Sequence, residues 1–171
     1  MEPLFTKPEL PRYTQRPFPP IRYLPHLAGA PGAHPRSTAT GHPRLKAQDD
    51  LPHFRPDDWR NCEPYLYGID LFNHGYWWEA HEVFEMVWLA AGQRSTVCGR
   101  FVQGLIQLAA AQLKRFIGEP QGAQSLTRAG IEKLSLVKGT YLGIEVAPLI
   151  TEVQRCLHED RGEFPRIELR L

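Results

Sequence analysis

Cysteine is scarce. Cys62, Cys98 and Cys156 are odd in number, far apart and form no CxxC pair, which argues against a disulfide framework and against a thiolate zinc site. Three reduced thiols in a cytoplasmic protein are the expectation. Long hydrophobic runs are missing as well. None approaches the ~20 apolar residues needed to cross a bilayer, and prolines interrupt the first residues, so no apolar stretch of signal-peptide length forms there. Net charge is small, +1 with histidine neutral, which removes the electrostatic case for nucleic acid or an anionic membrane as partner. A glycine-rich phosphate loop, a Walker pattern and a Ser–His–Asp order are absent.

Proline is also missing from most of the chain, because twelve of the sixteen stand in residues 1–56. Proline removes an amide donor and disfavours helix in the residue before it. Residues 1–56 therefore read as an extended, Pro-rich arm, and residues 57–171 as one helical domain. The arm holds eight Lys/Arg against four Asp/Glu, and the rest twelve against fifteen. An arm attracted to its own body follows, with the attraction screened beyond about 8–10 Å at ordinary salt. Phe5, Tyr13, Phe18 and Tyr23 alternate with Pro and Arg, a pattern suited to lying along the body with the rings buried. Ala28 to His42, rich in Gly, Ala, Pro, Ser and Thr, reads as a linker. Pro8-Glu9-Leu10-Pro11 and Pro17-Phe18-Pro19-Pro20 have the form of PxxP ligands, although most such arms are spacers.

Past Pro56 the apolar spacing becomes helical. Five helices are predicted: 59–74, opened by Asp57 or Asp58 and closed by Gly75; 76–91, closed by Gly92; 96–117, opened by Ser95 or Thr96 and closed by Gly118; 120–138; and one beginning near Pro148. Residues 139–143 read as a loop and Phe164–Leu171 as an extended strap. Gly75 with Ala80 and Gly118 with Ala123 echo one another at an offset of 43 residues, as two stacked helical hairpins would. The fold class is all-α: a bundle of two hairpins and a C-terminal helix, with the arm outside it.

Tyr76 to Trp88 concentrates three of the four tryptophans with one histidine and three glutamates. His81 and Glu85, one helical turn apart, share a face. The wheel puts Trp77, Ala80, Phe84, Val87, Trp88 and Ala91 on the apolar arc, His81 at its border, and Glu79 and Glu82 in solvent. On the third helix Gln103, Gln107, Ala110 and Lys114 form a separate stripe.

Leu71 to Trp88, with His81-Glu82-Val83-Phe84-Glu85 and Trp88, followed by Gln103-Gly104-Leu105-Ile106-Gln107, resembles the domain-of-unknown-function 309 family of small prokaryotic helical proteins. The likeness is close over residues 60–137 and loose after them, and the arm lies outside it. The resemblance implies an all-helical fold and no settled activity, and it brings a metal site at the HxxxE pair into consideration.

The pair admits three readings. As ligands, His81 and Glu85 offer two donors to a divalent metal, with Glu82 the candidate base of a metal-dependent hydrolase. A complete site needs a third ligand, and HExxE lacks the second histidine of a zincin. As a polar lock, His81 and Glu85 satisfy Gln103 and Gln107 across two helices. As a groove, the same residues with Trp78, Trp88 and Lys114 give an aromatic wall with convergent polar groups, suited to a small molecule or a protein segment. The expectation is a helical module binding a protein partner or small ligand, with the hydrolase as the alternative. Homo-oligomerisation would follow if the Trp-rich helix exceeds what one core covers.

Overall fold

The computed structural model describes residues 10–24, 52–158 and 163–171. The expected linker at 28–42 and Phe5 lie outside them. Among the described residues the order is a 3-10 turn at Pro56–Asn61, then α1 (Glu63–Asn73), α2 (Trp77–Ala90), a 3-10 turn at Gln93–Ser95, α3 (Val97–Phe116), α4 (Pro120–Leu134), β1 (Thr140–Tyr141), β2 (Ile144–Glu145) and α5 (Val146–His158). The fold is mostly helical, with α1–α2 and α3–α4 as packed hairpins and α3 between α2 and α4.

The two hairpins turn in the same way. His74 and Ile117 cap their helices, and Gly75 and Gly118 follow with φ of 78° and 79°. In the first turn the Gly75 N–H donates to Phe72 O at 3.2 Å and the Tyr76 N–H to Leu71 O at 2.9 Å; in the second, Gly118 to Arg115 at 3.2 Å and Glu119 to Lys114 at 2.8 Å. Both are Schellman closures, in which a left-handed residue lets the chain satisfy the last helical carbonyls. The echo in the sequence is thus an echo in hydrogen bonding. Thr96 opens α3 by accepting the Gly99 N–H on its hydroxyl at 2.8 Å. Where α3 crosses α4, Gly104 faces Gly130, and a Cβ on either would come within 3.1 Å of the other's carbonyl oxygen.

The first expected helix is broken. Cys62 has ψ of 91°, and the α-helix starts only at Glu63. Pro64 explains the break. It has no amide to donate and clashes with the carbonyl four residues back, so it is tolerated only in a first turn. Neither Asp57 nor Asp58 caps α1; Asp58 instead accepts from the Asn61 side chain. The fourth helix stops at Leu134, short of 138, and residues 140–145 form a hairpin where a loop was expected. Leu142 and Gly143 have φ of 48° and 77°, the double positive φ of a tight two-residue connection. The Tyr65 hydroxyl holds this turn by donating to Leu142 O at 2.7 Å. A Cβ at Gly143 would strike the Trp59 ring.

Trp77, Tyr65, Phe72, Phe84, Phe101, Leu105 and Leu108 are fully buried, each worth about 1.5–3 kcal/mol of apolar transfer. The C-terminal residues form the expected extended strap. Leu169 bridges to Ile144, and Asn73 grips Ile167 both ways, donating to its O at 2.8 Å and accepting from its N–H at 2.7 Å.

Candidate functional site: the α1–α2 face and the arm it carries

His81 and Glu85 lie on one face of α2, with Nε2 3.6 Å from Oε1. The indole of Trp78 stacks on the imidazole of His81, ring centroids 5.5 Å apart and 18° from parallel. These three expected site residues come together. Glu82 is half-buried on the next position of the helix. Trp88 is half-buried with its indole N–H shut away from solvent and without a hydrogen-bond partner among the described residues. On α3, Gln103 and Gln107 are half-buried, and the Gln107 side-chain oxygen has no described partner either. Lys114 is ion-paired to Glu119 at the α3–α4 turn. Among the described residues no group of three or more His, Cys, Asp or Glu side chains is placed to hold a metal ion. A cavity of about 730 Å³ lies elsewhere, between the strap and α5, lined by Trp77, Leu149, Arg155, Phe164 and Arg166 among others.

Two carboxylates escaped the sequence reading, and they organise this face. Asp70 on α1 and Glu79 on α2 are both 0% exposed. The helical wheel had placed Glu79 in solvent. It is instead one turn before Val83, which is buried, so the two share an inward stripe. A buried carboxylate needs compensating donors, and here the arm supplies them. Asp70 accepts the N–H of Tyr13 at 2.8 Å, the N–H of Thr14 at 2.9 Å, the Thr14 hydroxyl at 2.7 Å and Arg12 Nε at 3.3 Å. Glu79 accepts the N–H of Tyr23 at 2.7 Å on one oxygen, while its other oxygen is buried with no described partner. Burial pushes the Glu79 carboxyl up to about 7; the Tyr23 amide works against that shift, the nearby Glu82 charge adds to it, and Arg22 opposes it.

Between these two anchors the arm packs by its rings and guanidiniums. Phe18 stacks on Tyr76 at 4.9 Å and lies against His74 at 4.8 Å. Burial lowers the His74 pKa below its usual value, and the Arg12 charge lowers it further. The Tyr67 hydroxyl donates to Pro17 O at 2.9 Å, and Arg16 lies over the Tyr67 ring at 4.4 Å. Arg22 lies over Tyr76 at 4.3 Å and donates to His74 O at 3.0 Å. At the far end Tyr23 meets the Trp78 ring at 5.1 Å. The described stretch of the arm thus reaches the tryptophan that stacks on His81. Nearer the first anchor the arm is tied to the strap, since the Leu169 N–H donates to the Tyr13 hydroxyl at 2.8 Å.

The fold and face together define a mostly helical domain of packed hairpins that carries an extended segment on its first two helices. Residues 65–126, from α1 into α4, match the family model described as Domain of unknown function (DUF309). No curated protein matches the chain. Asp70, Glu79, His81 and Glu85 lie inside the matched range and residues 10–24 outside it. Among the described residues no helix is long and apolar enough to cross a membrane.

Proposed function

We propose that the chain is a binding module whose ligand face runs along α1 and α2 and ends at Trp78, His81 and Glu85, with Gln103 and Gln107 of α3 as neighbouring polar groups. One observation carries the reading: a segment from outside the matched range already lies on this face, with its tyrosine against Trp78 and its backbone amides on two buried carboxylates. Extended segments docked by main-chain hydrogen bonds and side-chain pockets are a recurrent mode of peptide recognition. A metal-dependent hydrolase would have His81 and Glu85 as ligands and Glu82 as base, but these supply only two donors to an ion, and an open catalytic site needs about three.

Limited trypsin digestion of the full chain tests the reading, because Arg22–Tyr23 is a cleavable bond held against the face. Trp78→Ala, with circular dichroism unchanged, is expected to speed cleavage there by about tenfold, in line with the loss of about 1–1.5 kcal/mol of aromatic contact. Equal cleavage rates in the two proteins would remove the face as a docking surface.

A further inference from the structure

We propose that this face selects an extended, acid-free segment in which arginines precede tyrosines, and that residues 12–23 are a displaceable copy of such a ligand held in cis. The inference rests on the binding-module reading and names its partner. Its basis is a register within the arm. Arg12-Tyr13 and Arg22-Tyr23 are the same dipeptide, and in each the tyrosine N–H donates to a fully buried carboxylate, Asp70 in the first and Glu79 in the second. In each the arginine lies over a ring, Arg12 over Phe18 at 4.0 Å and Arg22 over Tyr76 at 4.3 Å. Pro17-Phe18 fills the interval, fixed by Tyr67 and stacked on Tyr76.

Charge points the same way. Residues 10–24 contain Arg12, Arg16 and Arg22 and no acid, whereas Glu63 and Asp70 on α1 and Glu79 on α2 each take a partner from them. Glu63 meets Arg16 at 3.5 Å. An amide acceptor alone would bind any extended chain. Two guanidinium stacks on rings of the face, Arg16 over Tyr67 and Arg22 over Tyr76, restrict it, because a planar arginine lies flat on a ring where an ammonium does not. A segment of the same chain competes as an intramolecular ligand, at an effective concentration set by the length of chain between it and the face. An external ligand of the same chemistry therefore binds only as far as the arm has left, and its apparent affinity falls by the fraction of open face.

The test uses the full chain and a fluorescein-labelled peptide of residues 10–24. The arm variant Arg12→Ala/Phe18→Ala/Arg22→Ala, checked for helical content, is expected to bind the peptide saturably and at least about tenfold tighter than the wild-type chain does. The same peptide with its arginines replaced by glutamate, and a scrambled peptide of the original composition, are expected to bind at least about tenfold more weakly than the native peptide. If the triple variant does not fold, Tyr23→Pro, which removes both the amide given to Glu79 and the ring against Trp78, replaces it with the same expected direction. No binding to a folded arm variant would overturn the inference, as would a scrambled peptide that binds equally well. In either case a Trp78-dependent protection of Arg22–Tyr23 in cis would leave the binding-module reading standing, and loss of that protection as well would remove both.

Discussion

Glu79→Gln tests whether burial on folding raises the Glu79 carboxyl. The folded-state carboxyl is pushed from the ordinary 4.5 up to about 7, chiefly by burial. The native state therefore binds more protons than the unfolded chain between these two values. Stability from this residue is fully present below about 4.5 and is lost as pH rises toward 7. The difference of about 2.5 units corresponds to roughly 3 kcal/mol at 1.36 kcal/mol per unit, an upper bound. Glutamine keeps an oxygen for the Tyr23 amide and cannot ionise. Urea unfolding of both proteins from pH 4.5 to 8 is the assay. The stability of the variant relative to wild type is expected to rise with pH by about 2–3 kcal/mol, most of it between pH 5 and 7. His74, whose pKa is lowered, works in the opposite sense and loses stability as pH falls through the range below 6.5, but it is present in both proteins and cancels in the difference. Two parallel pH curves would refute the reasoning.

Three further outcomes are expected. Gly130→Ala would place a Cβ 2.9 Å from Leu108 Cδ2 and 3.1 Å from Gly104 O, and it should lower stability by about 1–3 kcal/mol through overpacking, as read by thermal unfolding. Tyr65→Phe leaves the Leu142 carbonyl without its hydroxyl donor and should cost about 1–3 kcal/mol by urea unfolding. Asn73→Ala removes both hydrogen bonds to Ile167. It should free the strap, seen as faster amide exchange at Ile167 and Leu169, with about 2–4 kcal/mol lost if the strap stays in place with its groups unsatisfied.

The turns were the most legible part of the fold. Gly75, Gly92 and Gly118 take the left-handed conformation that closes a helix, and a glycine after a run of apolar periodicity announces that in the sequence. The threonine cap at Thr96 was legible for a similar local reason. The break at Cys62 was not, because it depends on whether Pro64 falls in a first turn or an interior one, and the helical spacing continues smoothly across it. The hairpin at 140–145 was missed because two-residue strands carry no periodicity.

In the site, the His81–Glu85 pair followed from simple spacing. Asp70 and Glu79 did not, since a wheel assigns acids to solvent by residue type. The signals that were present are positional. Asp70 interrupts the apolar run Tyr65 to Phe72, and Glu79 stands one turn before Val83. What buries them is a segment nearly sixty residues away in sequence, which no local pattern encodes. The basic, aromatic character of the arm and its attraction to an acidic body were readable, but its register on the two carboxylates was not.

Amide hydrogen exchange at Tyr13, Thr14 and Tyr23 measures the docked arm most directly. In the full chain these three N–H groups are expected to exchange at least about tenfold more slowly than in the free 10–24 peptide. Asp70→Asn is expected to speed Tyr13 and Thr14, and Glu79→Ala to speed Tyr23. Exchange of all three at the free-peptide rate in the wild-type chain would contradict the account.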